Sequence, residues 1–447
     1  MKTKKIFNFL LLLGFLSGCD YLDIVPDNLP TLEMAFNNKS SAERFLFTCY
    51  SFVPEHGKIG TDPGMDVGDE VWYYSDNSAD YSNKTTFWIA KGMQNSNEPL
   101  VDYWNGTQWG KAMFVGIRDC NVFIENIEKV PDLSAYDKET WKAEAKVLKA
   151  FYHFWMMRMY GPIPIIKENI PVSAGEDEVR VVRDKIDDIV TYIVSLIDES
   201  VEYLPLNIQN EAAEMGRITR PAAKAIKAKI LAFAASPFFN GNLDYANFKN
   251  AEGEPFFNQV YDNEKWTKAA DACLEAIQCA EEAGHGLYEF VNMSSTQLSD
   301  ETILSLSNRC KVTERWNKEL VWGCGQSGIR DLQVLCQPWL ESNYSSDDRY
   351  HNARNGTFAP TLAVAETFYT KNGVPMDEDK NYDYSKRYTT QVATEADKYY
   401  IQPGYTTAKL HFDREPRFYA TLGFDGSSWY GIGKMDDNDM WYLQAKA

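Results

Sequence analysis

The sequence predicts a mainly α protein, a tetratricopeptide-like scaffold of helical hairpins carrying a large irregular, loop-rich subdomain. Three observations predict it. Amphipathic stretches of apolar residues at three- and four-residue spacing recur up to about residue 285. Long connections between them are rich in Gly, Asp, Asn, Trp and Tyr, above all Pro54 to Gly106. Beyond about Gly284 the periodicity gives way to mostly irregular sequence. No strict repeat of about 34 residues is visible, so the hairpin units are degenerate.

In chain order, Met1 to Gly18 reads as a lipoprotein signal peptide. Lys2, Lys4 and Lys5 form a positive start, and Ile6 to Leu16 is an apolar run broken only by Asn8 and Gly14. The run is too short for a transmembrane helix, which needs about 20 residues, and fits a signal core. Leu16-Ser17-Gly18-Cys19 resembles a bacterial lipobox, in which the cysteine becomes the acylated first residue. Lipidation at Cys19 would hold the protein on a membrane, each buried methylene adding about 0.8 kcal/mol. Asp20 and Asp23 follow at once.

The helices come next. Ser41 to Val53 carries Phe45, Cys49 and Phe52 on one side, and Gln108 to Ile127 has Phe114, Ile117, Val122 and Ile124 as apolar positions. Lys138 to Tyr160 repeats Trp141, Ala145, Leu148, Tyr152, Trp155 and Met159, and Gly161-Pro162 stops it. Asp184 to Tyr203 has an isoleucine stripe, with Asp184 as the expected N-cap. Thr219 caps the next helix, Pro221 occupies its first turn, its alanines allow close packing, and Ser236-Pro237 ends it. Asn263 to Ala283 is amphipathic about Trp266, Ala270, Leu274 and Ile277, which predicts that stripe as its buried face. In the second half, Leu320-Val321-Trp322 reads as a short strand and Thr361 to Tyr369 as a helix. Trp104 and Trp109, close to a helix start, read as core.

Charge and composition exclude several functions. With 64 acidic against 45 basic residues the net charge is −19, and loss of the three leader lysines takes it to −22. That argues against nucleic acid and anionic membrane surfaces as partners. Eight cysteines include Cys19, so the mature chain keeps an odd number beyond it, and no CxxC occurs. With five histidines in all, a structural zinc site is not expected. Gly323, Gly325 and Gly328 fit GxGxxG, but no βαβ pattern surrounds them. Asp377, Asp379, Asn381 and Asp383 alternate like a calcium loop, yet Tyr382 and Tyr388 stand where an EF-hand needs Gly and Glu. No HExxH and no GxSxG is present. No catalytic residue, cofactor or metal is assigned.

Several ordered motifs carry a family resemblance. Ala143-Glu144-Ala145-Lys146-Val147-Leu148-Lys149-Ala150-Phe151-Tyr152, followed by Arg158-Met159-Tyr160-Gly161-Pro162-Ile163-Pro164, resembles a motif of the SusD/RagB family. So do Ile117-Arg118-Asp119-Cys120-Asn121, Gly216-Arg217-Ile218-Thr219 running into Ala234-Ala235-Ser236-Pro237, Phe368 to Gly373, and Asp413-Arg414-Glu415-Pro416-Arg417-Phe418-Tyr419. The resemblance implies an outer-surface lipoprotein that acts as a lid on a SusC-like TonB-dependent transporter and passes oligosaccharide to it. A peptide ligand, as in RagB-type relatives, is the alternative. The rival from another class is a surface glycoside hydrolase, which would need two carboxylates about 5–10 Å apart. The implied organisation is a scaffold over residues 19–285 and a C-terminal irregular subdomain over 286–447. Relatives usually continue well past the Arg414–Tyr419 region, so a C-terminal segment is expected to be lacking. Most motif residues read as structural; Arg414 and Arg417 are expected to hold loops.

Binding sugar without cutting it needs flat apolar faces beside fixed hydrogen-bonding groups, because pyranose C–H bonds stack on Trp or Tyr while amides and carboxylates read the hydroxyls. The loop residues Trp72, Tyr73, Tyr74, Asn77, Asp80 and Trp88 supply both kinds, as do Trp316, Trp322, Trp339 and Tyr344 in the second half. These are the candidate ligand-binding residues.

Overall fold

The computed structural model describes residues 32–55, 57–58, 62–73, 85–293, 295–324, 329–337, 340, 356, 358–431 and 433–444. Cys19, Tyr74, Asn77, Asp80, Trp339, Tyr344, Gly325 and Gly328 lie outside them.

Helix α1, Lys39–Tyr50, starts where the Asn38 side chain accepts the Ser41 N–H at 2.9 Å. Helix α2, Thr85–Ala90, is one short turn and a half. Helix α3, Met113–Asn126, begins later than its periodicity predicts, because Gln108 and Trp109 take positive φ and cannot open a helix. Trp109 is 70% exposed, which corrects its reading as core, whereas Trp104 is half-buried on Phe114 and Tyr160. Helix α4, Ala135–Tyr160, is the longest among the described residues; Ser134 accepts the Asp137 N–H at its start, and Gly161 ends it at φ 68°. Phe123, Leu148, Tyr152, Phe154 and Ile193 anchor the principal core around it.

Helix α5, Ile186–Asp198, buries its isoleucine stripe. Asp184 does not cap it; its carboxylate accepts the Ile165 N–H at 2.7 Å, and the helix begins two residues later. Helix α6, Arg220–Ala235, carries the expected Thr219 cap and Pro221. Helix α7, Glu264–Glu282, departs from expectation. It buries Ala269, Ala272, Ala276 and Cys279, while Trp266, Ala270, Leu274 and Ile277 face solvent. The reason is steric: Ala228 of α6 meets Ala272 and Ala276, so two small-residue faces bring the helices together. Along the chain α3 packs on α4, α4 on α5, α5 on α6 and α6 on α7, an array of helical hairpins.

The second half is irregular. Helix α8, Asp300–Cys310, lies on α11, Pro416–Thr421; α9 spans Ile329–Cys336 and α10 Leu362–Thr367, capped by Thr361. Leu320 to Trp322 forms bends rather than the predicted strand. Among the described residues there are three two-stranded antiparallel sheets: β1 (Val71–Tyr73) with β2 (Phe358–Pro360), β3 (Thr390–Val392) with β4 (Thr406–Ala408), and β5 (Ser428–Trp429) with β6 (Trp441–Tyr442). The calcium-like run is a structural turn, in which Asp379 accepts from the Thr370 hydroxyl, the Asn372 amide and the Asn381 N–H.

Candidate functional site

The first candidate face is built by the pairing of β1 with β2. Successive strand residues point to opposite sides. Tyr73 turns inward, 4% exposed, against Phe87 and Phe358 at centroid distances of 5.1 and 4.7 Å. Its ring is part of a small core with Leu335, which departs from the expectation of a ligand-facing side chain. Trp72 consequently turns outward, 40% exposed, with its indole 5.0 Å from Phe87. Trp88, next to Phe87 on α2, is 38% exposed, and the Lys91 ammonium stands 5.5 Å above its ring. The fold thus exposes two indoles, Trp72 packed on the buried Phe87 ring and Trp88 next to that phenylalanine in the chain. An exposed indole on a packed base offers a stacking face that loses little entropy on use.

The second candidate is a cleft of about 510 Å³ where Trp316 and Trp322 come together around Gly216. Trp322 is half-buried; its indole N–H donates to the Gly216 carbonyl at 3.0 Å and its ring meets Phe151 edge-on. That makes it an anchor of the irregular half on the scaffold, with only part of its surface left to line the cleft. Trp316 adopts φ 54°, a backbone state rare for a large residue. Gly216 has φ 98°, and a Cβ there would come within 3.3 Å of the Gly323 carbonyl oxygen and 3.7 Å of the Trp316 ring. Asn207, Glu211, His285 and Lys318 supply polar groups to the walls. A neighbouring groove of about 430 Å³ shares Met215, Gly216 and Trp322 and adds Phe47, Val53 and Pro54.

Beneath both clefts lies a buried charge network. Arg217 binds Glu144 through two hydrogen bonds, Nη2 to Oε1 at 2.7 Å and Nε to Oε2 at 3.1 Å. The Tyr50 hydroxyl donates to Glu144 at 2.6 Å and accepts the Ile218 N–H at 2.8 Å. Burial works against the Arg217 charge, but Glu144 outweighs it and holds the guanidinium protonated well above its ordinary range. Burial raises the Tyr50 hydroxyl far above its usual value, as does the adjacent Glu144 charge. With both oxygens engaged, Glu144 is a structural carboxylate. Among the described residues no cluster of three His, Cys, Asp or Glu side chains is placed to hold a metal ion.

Residues 20–231 match a family model described as SusD-like, "starch-binding associating with outer membrane", and residues 329–446 match one described as the SusD family. This chain belongs to the SusD/RagB family. The solved structure of BT4246 superposes with a TM-score of 0.70 at 28% identity, over 88% of this chain and 66% of that one. A SusD-like protein from Bacteroides fragilis, BF3747, gives a TM-score of 0.61 at 17% identity over 92% and 65%. A SusD-like carbohydrate-binding protein from the same species, BF0978, gives 0.52 at 17% over 88% and 60%. The last two show likeness of fold alone. The chain therefore spans just under two thirds of the length of these relatives. No match was found among curated proteins.

Within this SusD/RagB protein the buried signature residues are structural. Ala145, Leu148 and Tyr152 are fully buried. Glu144 and Arg217, from two separate motifs, meet in the network above. Arg414 is 2% exposed and donates to four backbone carbonyls, those of Leu410, Ala365, Phe368 and Tyr369. Arg417 pairs with Glu415. Sequence reasoning missed Phe47, Met215, Gly216 and His285 as cleft residues. Only Gly216 carried a signal, as a glycine inside a motif.

Proposed function

We propose that this protein is a glycan-binding surface lipoprotein, anchored through Cys19 at the outer membrane, that captures oligosaccharide and delivers it to a SusC-like TonB-dependent transporter. It binds and does not cut. The observation that carries the reading is the exposed indole of Trp72 on its packed base where the N-terminal loop meets the second half of the chain, with the exposed Trp88 next to Phe87 of that base in the chain. Family membership and the starch-binding description of the matching model support it. Trp316, in its polar-walled cleft, is a second contact point, and the expected contributions of Tyr74, Asn77, Asp80, Trp339 and Tyr344 belong to the same reading. Affinity per site is modest, because exposed stacking groups are already partly solvated and ligand ordering offsets part of the gain.

The test uses the chain from Asp20 onward, titrated by calorimetry against a panel of polysaccharides and peptides, with the mixtures then assayed for shortened sugars. Saturable polysaccharide binding is expected. Trp72→Ala and Trp88→Ala should each weaken it by about 1–2 kcal/mol, roughly tenfold in Kd. Shortened sugar would overturn the non-enzymatic reading. Binding of peptides alone would replace the ligand class and leave the lid role standing.

A further inference from the structure

The long connection that carries Trp72 and Trp88 leaves the scaffold after α1 and rejoins it at α3. At the base of that insert two cysteines meet. Cys49 lies in the last turn of α1 and Cys120 in the middle of α3, and the two helices pack on each other. Both side chains are fully buried in the principal core, and the two thiols share a hydrogen bond. The Tyr152 hydroxyl of α4 donates to the Cys49 carbonyl, which fixes the end of α1 against the same core. In the structure both cysteines are reduced.

A single buried thiol is an ordinary small core residue. Two thiols held together are a different case, because a disulfide forms only where the backbone brings both cysteines close. Cys273 and Cys279 share α7 without this arrangement, since one is exposed and the other is buried on the face toward α6.

Burial decides when such a bond can form. The thiolate is the attacking species in disulfide exchange. Burial, with Cys49 adjacent, pushes the Cys120 thiol far up, and neither sulfur is open to a reagent once α1 and α3 have packed. Oxidation therefore belongs to the folding chain, before the core closes. The oxidant is an external disulfide of the glutathione class. One cysteine thiolate attacks it, forming a mixed disulfide and releasing one small thiol. The second cysteine attacks the mixed disulfide and releases the other. The two cysteines give up two electrons and two protons, which leave on the two small thiols.

We propose that Cys49 and Cys120 form a disulfide as the exported chain folds, joining α1 to α3 and clamping the base of the insert that presents Trp72 and Trp88. The bond is separate from ligand capture and rests on the function proposed above only for the oxidising compartment. Once formed, it is shielded by the core and holds the two ends of the insert together.

The experiment uses the chain from Asp20. It is unfolded in guanidinium with reductant and refolded into mixed reduced and oxidised glutathione. It is then alkylated in denaturant and digested without reduction. Mass spectrometry should find the Cys49 and Cys120 peptides linked. Reductant should cleave the bond more slowly in the native protein than in guanidinium, by about tenfold or more. The linked protein should melt about 5 °C above protein refolded in reductant, a difference absent from Cys49→Ala/Cys120→Ala. The same mapping on chain exported to the periplasm of an expression host is a second arm, and it decides the matter if refolding fails. The proposal is overturned if both thiols are recovered alkylated from the folded protein. It is equally overturned if either is linked chiefly to another cysteine or to glutathione, or if the pair links as readily in guanidinium. An unchanged melting temperature would overturn the clamp.

Discussion

His153 lies fully buried in α4, where its Nδ1 bonds the Lys149 carbonyl and its Nε2 accepts the Ile166 N–H, so the ring is neutral. Burial holds it at about 4, below its ordinary value of 6.5. The unfolded chain therefore takes up the proton first as pH falls. The stability is whole above about pH 6.5 and is lost as pH drops to about 4, by about 3 kcal/mol. Burial lowers His411 to about 4 too, so it acts in the same window. Urea midpoints measured across that range should fall with pH, and His153→Gln should flatten the slope. The pair Glu144 and Arg217 makes a different prediction. Arg217→Met leaves a buried carboxylate unpaired and should cost ~3–5 kcal/mol, whereas Glu144→Leu with Arg217→Met should recover much of the loss in chemical denaturation. Both residues were visible in motifs, but their partnership was not. Nothing in a one-dimensional pattern tells a surface glutamate from one that meets an arginine far along the chain.

At the level of elements, periodicity located the scaffold helices because long amphipathic stretches have one solution to burying their faces. Helix α7 shows where that reasoning stops. Its sequence holds two apolar stripes, and the bulkier one drew the expectation, although contact distance to α6 selects the alanines. Ala272→Leu or Ala276→Leu should therefore cost ~1–3 kcal/mol by overpacking. Leu274→Asp, on the outer stripe, should change the thermal midpoint little, by ~0.5 kcal/mol or less in stability. The short strands were illegible for a related reason. Val71-Trp72-Tyr73 is too brief for alternation to declare itself, so both rings were assigned to ligand, and only the pairing with β2 separates the buried tyrosine from the exposed tryptophan.

For the molecule as a whole, the mainly helical character was readable from the periodicity, and the family from its ordered motifs. The way the halves join was not readable, since it depends on single contacts such as Trp322 on Gly216. Thiol labelling of the native protein in its reduced form gives an overall check. Cys273 and Cys324 should react quickly, while Cys49, Cys120 and Cys279 should react only on unfolding. The pairing of β1 with β2 carries one more consequence. Residues 71–73 meet residues 358–360, so the ladder that presents Trp72 closes a loop of most of the chain. Contacts between neighbouring helices form early in a folding chain and such long closures late. A chain ending short of residue 358 would still lack the strand that pairs with Trp72, so the stacking face proposed there would be among the last features to form.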